Sequence, residues 1–495
     1  MVVLGKILVA TYFAILGVLS LYGFHRYIMV ALYYWYKRHG AKPKETFKEL
    51  PLVTVQLPVF NEMYVVTRLL DAVCAMEYPR DRLQVQLLDD SIDETTQIAE
   101  AHVRSLVEKG HNVSFIHRND RTGFKAGALE AGLKTATGEY VAIFDADFLP
   151  SRDLLMKLIH YFTDPKVGMV QARWGHVNRD FSLLTRVQSI LLDGHFVIEH
   201  TARNRSGRFF NFNGTAGMWR KTCIEDAGGW HHDTLTEDLD LSYRAQLNGW
   251  QFIFLPEVVA PAEVPVEMNA FKSQQHRWAK GSVQVGLKIL PRIWMSPIPL
   301  KTKIEATFHL TGNFAYLLML LMSLILLPVT LMRGQLGFQL GWQADYYIDL
   351  ALFIAATISV GMFYVVSQIE GHRDWWTRLK YFPLLISVGI GLSLNNSKAV
   401  LEALFGHDSS FVRTPKYNVG NAAEPPADNW KKKKYFGARS MMAYIEIFLG
   451  LYFCVSLYTA WQYGMYSSIP FLALFPLGFL YVGVLSLFQR RHVAA

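Results

Sequence analysis

The sequence predicts a mostly parallel, Rossmann-like α/β domain inserted between transmembrane α-helices. Three observations carry this reading. Five charge-poor apolar runs reach about 20 residues, the length that crosses a bilayer. Between Pro51 and Ala279 no run is long enough to span, and strand-like segments alternate with helix-like ones. Acidic residues collect where those strand-like segments end, the place where open α/β sheets bind ligands. Composition agrees, since 51% of the 495 residues are apolar and only 18% are charged. Soluble domains carry about 25% charged residues, and the span-length apolar runs exclude a purely soluble enzyme. The 32 Phe, 24 Tyr and 12 Trp exclude a disordered chain. Cys74, Cys223 and Cys454 lie too far apart in sequence to suggest a disulfide scaffold or a zinc site.

Taken in order, the first span falls within residues 1–36. Ile7–Phe24 is 18 residues without a charge, followed by His25, Arg26 and the aromatic run Tyr33, Tyr34, Trp35 and Tyr36. It is too long for a cleaved signal peptide and has no small-residue cleavage site. Lys37, Arg38, Lys42 and Lys44 follow it, against Lys6 before it. The positive-inside rule therefore places residue 40 onward in the cytoplasm.

Residues 50–279 form the expected α/β domain. Leu52–Pro58, Leu83–Leu88, Asn112–His117 and Glu139–Phe144 read as buried strands. The second ends in Asp89-Asp90-Ser91 and the fourth in Asp145-Ala146-Asp147. Two carboxylates one residue apart repel unless a cation lies between them, and hard oxygen ligands suit Mg²⁺ or Mn²⁺. Asp-x-Asp alone is a weak motif; its place at a strand end favours the metal over a solvated turn. Lys125 sits in a Gly-rich helix start, where it could hold a phosphate, although an isolated lysine is more often a surface residue. Thr236-Glu237-Asp238 opens a helical pattern over Leu239–Leu247, and with Asp240 it holds more acid than helix capping needs. Neighbouring carboxylates raise each other's pKa, which suits a general base. Gln274, Arg277 and Trp278 share one helix face, combining an amide, a fixed cation and an aromatic plane. The bland alternative is an arginine snorkelling at a membrane surface.

Residues 280–300 read as an interfacial helix, with Val283, Leu287, Leu290 and Trp294 on one side and Lys280, Lys288 and Arg292 opposite. Residues 306–367 hold two spans and 441–488 two more. Between them Tyr381–Leu394 is only 14 apolar residues, which fits an interfacial or re-entrant helix over 380–403 better than a span. If it crossed, Lys431–Lys434 and Arg490-Arg491 would both lie outside; if it does not, both are cytoplasmic. The net charge, 49 − 41 = +8, thus sits beside the membrane, and nucleic acid is not an expected partner.

Five motifs then occur in an order that resembles the processive family 2 glycosyltransferases, the cellulose, chitin and mannan synthases. They are Pro58-Val59-Phe60-Asn61-Glu62, Asp89-Asp90, Asp145-Ala146-Asp147, Thr236-Glu237-Asp238 and Gln274-Gln275-His276-Arg277-Trp278. Val170–Trp174 and Phe210–Gly217 look most like the cellulose synthase-like A group, the glucomannan 4-β-mannosyltransferases, and bacterial relatives. The resemblance implies a GT-A catalytic domain that uses a nucleotide-diphosphate sugar, UDP-glucose or GDP-mannose. Pro58, Asn61, Glu62 and Asp89 or Asp90 would line the nucleoside, and Lys125 would touch the diphosphate. Asp145 and Asp147 would hold Mg²⁺ or Mn²⁺, and Asp238, beside Glu237, would be the base. Gln274, Arg277 and Trp278 would meet the leaving diphosphate and the acceptor sugar. Val412, Arg413, Thr414 and Lys416 fall where the family carries a gating loop, within a cytoplasmic segment 404–440.

The implied product is a β-linked polysaccharide, elongated and exported through the membrane. Phe212-Asn213-Gly214-Thr215 replaces the Phe-Phe-Cys-Gly-Ser of cellulose synthases, so cellulose specificity does not transfer directly. With seven residues after Phe488, no cyclic-dinucleotide-binding domain is expected to follow. The alternative is a non-processive transferase with a ceramide or diacylglycerol acceptor. A transporter without chemistry explains the spans but not the acidic clusters. The expected location is the plasma or inner membrane, or the Golgi in a eukaryote, with a membrane lipid as a further partner; oligomeric state is left open.

Overall fold

The computed structural model describes residues 2–336, 351–352, 354–407, 414–419, 441–464 and 466–489. Val412, Arg413 and most of the expected 404–440 segment lie outside them. Seven strands form one sheet in the order β3-β2-β1-β4-β6-β5-β7. Their bounds are β1 Val53–Val59, β2 Leu83–Asp89, β3 Val113–His117, β4 Tyr140–Ile143, β5 Val167–His176, β6 Gly217–Arg220 and β7 Gln251–Ala262. β1 pairs in parallel with β2 and β4, β2 with β3, and β5 with β7; only β6 runs antiparallel, between β4 and β5. The four strands read from sequence are β1 to β4, each within a residue or two of its expected bounds.

Both faces of the sheet are covered. Val53, Val55, Leu57 and Ala142 pack on one side with Leu69, Val103 and Leu158. Leu88, Ile143 and Trp219 pack on the other with Leu129 and Leu241. Polar Thr54 and Gln56 alternate with the apolar residues of β1 and are nevertheless buried. They are satisfied across the β1–β2 pair: Thr54 Oγ1 donates to Gln84 Oε1 at 2.8 Å and Gln56 Nε2 to Gln86 Oε1 at 3.0 Å. The strand order reverses between β1 and β4, which opens a crevice outside their carboxyl ends.

Among the described residues, four helical stretches are long and apolar enough to cross a membrane: Gly5–Tyr36, Trp375–Leu404, Met442–Gln462 and Ile469–Phe488. A fifth candidate is a broken pair, Leu300–Thr311 and Phe314–Val329, bent by 53°. The break falls at Gly312-Asn313, inside the run expected to form a span from Ala306. The expected span beginning at Tyr346 starts outside the described residues; its described part continues as helix to Gly371.

The interfacial stretch expected over 280–300 is not a separate element. It continues the helix that carries Gln274–Trp278, which runs unbroken over Met268–Met295. Leu287 and Trp294, on its expected apolar side, are exposed, whereas Lys280, on the expected polar side, is fully buried. Lys280 Nζ lies 3.3 Å from Glu402 Oε2, and Lys288 reaches Asp233 at 2.8 Å and Asp240 at 2.9 Å. Carboxylates of neighbouring elements draw these lysines inward, a pull that hydrophobic periodicity does not register.

Candidate active site

The crevice at the strand ends holds a cavity of about 200 Å³. Each strand delivers its chemistry through the turn that follows it. β1 carries Pro58 near its end and leads into Phe60 and Glu62, β2 into Asp90, and β4 into Asp145 and Asp147, all on the cavity wall. Glu237, Asp238, Gln274, Arg277, Trp278, Thr414 and Lys416 complete it with Lys125. The structure therefore gathers residues from five separate sequence motifs and from the 414–419 segment into one site.

Asn61 and Asp89 take supporting positions behind the wall. Asn61 adopts a left-handed backbone with φ of 54°, which asparagine tolerates better than most residues. Its backbone N–H donates to Ser91 Oγ at 2.7 Å, and its Oδ1 accepts from the Ile92 N–H at 3.0 Å. Asp89 is fully buried, accepting from Thr96 Oγ1 at 2.9 Å and facing His117 Nδ1 at 2.8 Å. The pair Asp89-Asp90 thus divides: Asp89 braces the β2 turn, and Asp90 faces the cavity, held by Arg118 through two contacts of 2.7 and 2.5 Å.

Asp145 and Asp147 are each met by a lysine. Lys125 Nζ donates to Asp145 Oδ1 at 2.5 Å, and Lys416 Nζ to Asp147 Oδ2 at 2.6 Å. Two ammonium groups drawn to adjacent carboxylates show that this spot gathers positive charge. Its donors are oxygens alone, a set that fits Mg²⁺ or Mn²⁺ better than zinc. Burial raises the Asp145 pKa, against the pull of Lys125. Burial also works against the Lys125 charge, but Asp145 and then Glu237 hold its pKa above the ordinary value.

Asp238 stands in the first turn of the helix Glu237–Leu247, where its Oδ1 accepts from the Leu239 N–H at 2.8 Å. Burial first, and the Glu237 carboxylate second, push its pKa up to about 7. Glu237 is raised as well, chiefly by burial, with Lys125 opposing. The third acid of the motif faces elsewhere: Asp240 is fully buried and paired with Arg244 at 2.7 Å. Gly214 approaches from the other side with φ of +78°. A Cβ there would lie 3.0 Å from Asp238 Oδ2 and 3.3 Å from Lys125 Nζ, so glycine serves both backbone and space. Its carbonyl accepts from Lys125 Nζ at 2.9 Å. Trp278 lies 6.4 Å from Trp174, centroid to centroid, at 55°, giving the cavity an aromatic corner.

Fold and geometry together match known proteins. Residues 51–281 match the family described as glycosyltransferase like family 2. A glucomannan 4-beta-mannosyltransferase of Arabidopsis thaliana is 36% identical over 404 residues, 78% of this chain and 72% of that one. The chain belongs to glycosyltransferase family 2. A probable glucomannan 4-beta-mannosyltransferase of Oryza sativa subsp. japonica is 39% identical over 333 residues, 66% of this chain but only 57% of the relative's length. Among solved structures, the Pyrobaculum calidifontis mannosyltransferase PcManGT, in complex with GDP-Man and Mn²⁺, superimposes with a TM-score of 0.52 at 22% identity. The match covers 80% of this chain and all of that one. The domain therefore has the GT-A glycosyltransferase fold.

This family 2 site also contains residues that sequence reasoning did not single out. Arg118 and Arg121 lie between β3 and Lys125; Arg121 lines the cavity, and Arg118 holds Asp90. The Arg121 guanidinium stacks 3.3 Å over the Phe60 ring. Glu263 follows β7, a strand the sequence reading did not define. It anchors the 414–419 segment, accepting from the Tyr417 N–H at 2.8 Å through Oε1 and from Lys416 Nζ at 2.5 Å through its backbone carbonyl. Lys416, expected in the gating loop, rests on Asp147.

Proposed function

We propose that the protein is a membrane-embedded inverting hexosyltransferase that moves mannose from GDP-mannose onto a growing β-1,4-linked polysaccharide and exports the chain. The observation that carries this is the shared cavity wall of Asp238, Arg277 and the Asp145/Asp147 pair. Mannose and the 4-linkage rest on the names of the relatives. In the reaction the acceptor hydroxyl gives its proton to the Asp238 carboxylate while its oxygen attacks the anomeric carbon. The bond from that carbon to the diphosphate oxygen breaks, its electron pair leaves with the diphosphate, and an α-linked donor gives a β-linked product. Lys125 and Arg277 supply fixed positive charge for the leaving diphosphate. A divalent ion held by Asp145 and Asp147 would add charge neutralisation on that diphosphate. Trp278 offers its plane to the apolar face of the acceptor sugar.

The polymer is preferred over a glycolipid because the relatives are polysaccharide transferases by name. The catalytic site would face the cytoplasm, from a plasma, inner or Golgi membrane. The test gives the purified full chain radiolabelled GDP-mannose or UDP-glucose. Transfer from GDP-mannose, abolished by EDTA and restored by Mn²⁺ or Mg²⁺, is expected. Transfer from UDP-glucose alone would overturn the donor, and full activity in EDTA would remove the metal.

A further inference from the structure

A second cavity, of about 260 Å³, lies at the amino ends of β5 and β7, lined there by Val167 and Gln251. The active site sits at the carboxyl ends of the same strands, where His176 and Ala262 line it. Ten residues of strand separate the two along β5, about 30 Å at 3.3 Å per residue. The second cavity is therefore no extension of the catalytic one.

Its wall is built from the chain just after the first apolar helix. His39, Lys42 and Lys44 line it together with Arg205, while Asp164 is the acid among them. Lys44 pairs with Asp164 at 2.8 Å, so Lys42 and Arg205 leave an excess of positive charge. Arg205 is not a solvated surface group, with only 12% of its side chain exposed. One Nη donates to the Lys37 carbonyl, the other lies 3.8 Å from Glu257, and Nε is buried with no hydrogen-bond partner among the described residues. A buried donor left unmade is costly, and an oxyanion is the acceptor that suits a guanidinium best.

The position supplies the second argument. The aromatic run Tyr33–Tyr36 ends immediately before this wall, and Trp35 is 71% exposed. Exposed Trp and Tyr at the end of an apolar helix mark headgroup depth. The cavity thus opens beside the headgroups of the leaflet into which the positive-inside rule turns Lys37–Lys44.

We propose that this cavity binds a phosphate group, supplied by the headgroup of an anionic lipid in the adjacent leaflet. The bland alternative, a basic linker that merely follows a span, predicts no saturable site and no dependence on these particular residues. The full chain in detergent would be melted while phosphatidylglycerol, phosphatidylcholine or inorganic phosphate is titrated in. Wild type should show a saturable rise in Tm with phosphatidylglycerol and none with phosphatidylcholine. Lys42→Gln with Lys44→Gln, both at exposed positions, should weaken that response about 30-fold. Arg205→Lys, which keeps the charge and loses the fork, should weaken it too. A response to inorganic phosphate equal to that to the lipid would keep the phosphate site but overturn the lipid source. No saturable response in wild type, or an unchanged one in the lysine double variant, would overturn the site.

Discussion

Asp238 carries the chemistry of the proposed transfer, and its environment sets the pH at which it can act. An ordinary aspartate is ionised well below neutrality, but burial and Glu237 push this one up to about 7. The base must be ionised to accept a proton, so kcat/KM should rise as pH increases through about 7, with the apparent value belonging to the Glu237–Asp238 pair. Asp238→Asn should lower turnover by at least about 10²-fold while leaving donor binding intact, as titration calorimetry with the nucleotide would show. A rate flat from pH 5 upward, or near wild-type turnover in the variant, would remove Asp238 from the role. Residue identity was legible here because each acid follows a strand-like run or opens a helix. Which of Asp89 and Asp90 faces the cavity was not legible, and Asp238 was singled out over Asp240 only through the family resemblance. Asp89 against Asp90, and Asp238 against Asp240, are separated by side-chain direction, which is set by partners distant in sequence such as His117 and Lys288.

At the scale of elements, the site depends on how closely the helix Met268–Met295 approaches the Thr236 turn. Gly281 makes that approach possible: a Cβ there would lie 2.5 Å from Thr236 Cγ2 and 2.6 Å from its Oγ1. Gly281→Ala must therefore move the helix or the turn, and with it Arg277 or Asp238. Overpacking of this kind costs about 1–3 kcal/mol, which should appear as a lower Tm together with reduced turnover. An unchanged Tm and rate would show that the contact is slack. The helix itself was legible from its i, i+3, i+4 pattern. Its continuity was not, because Gly281, Gly286 and Pro291 are weak helix formers within it, and tertiary packing overrides that propensity. β6 was missed because it is four residues long and antiparallel, and β7 because Pro256 and Glu257 interrupt its apolar pattern. β1, β2 and β4 were legible because they are buried on both faces, and the edge strand β3 from its short apolar run.

For the whole molecule, the question is how the Trp375–Leu404 stretch sits in the membrane. By length and composition it could cross, yet both of its ends touch the catalytic region. Near the start, His372 meets Asp193 at 2.8 Å and Arg186 meets the Tyr381 hydroxyl at 2.5 Å. Near the end, Asn395 donates to the Lys272 carbonyl at 2.9 Å, and His276 and Lys280 reach Glu402 at 3.1 and 3.3 Å. A crossing helix would carry its two ends to opposite sides, so these contacts favour the re-entrant reading that charge placement gives. Single cysteines at Arg373 and His407 should both resist an impermeant thiol reagent in sealed right-side-out vesicles, while one at Tyr466 should react. Reaction at only one of the first two would mean that the stretch spans. The central claim joins this membrane body to the site: sugars are added one after another to a chain that leaves through the membrane. The most direct measurement is the product that purified, reconstituted protein makes from GDP-mannose, sized by gel filtration and digested with an endo-β-1,4-mannanase. A long, mannanase-sensitive polymer is the predicted result; one or two sugars on an extractable lipid, with no longer chain at any donor concentration, would contradict it.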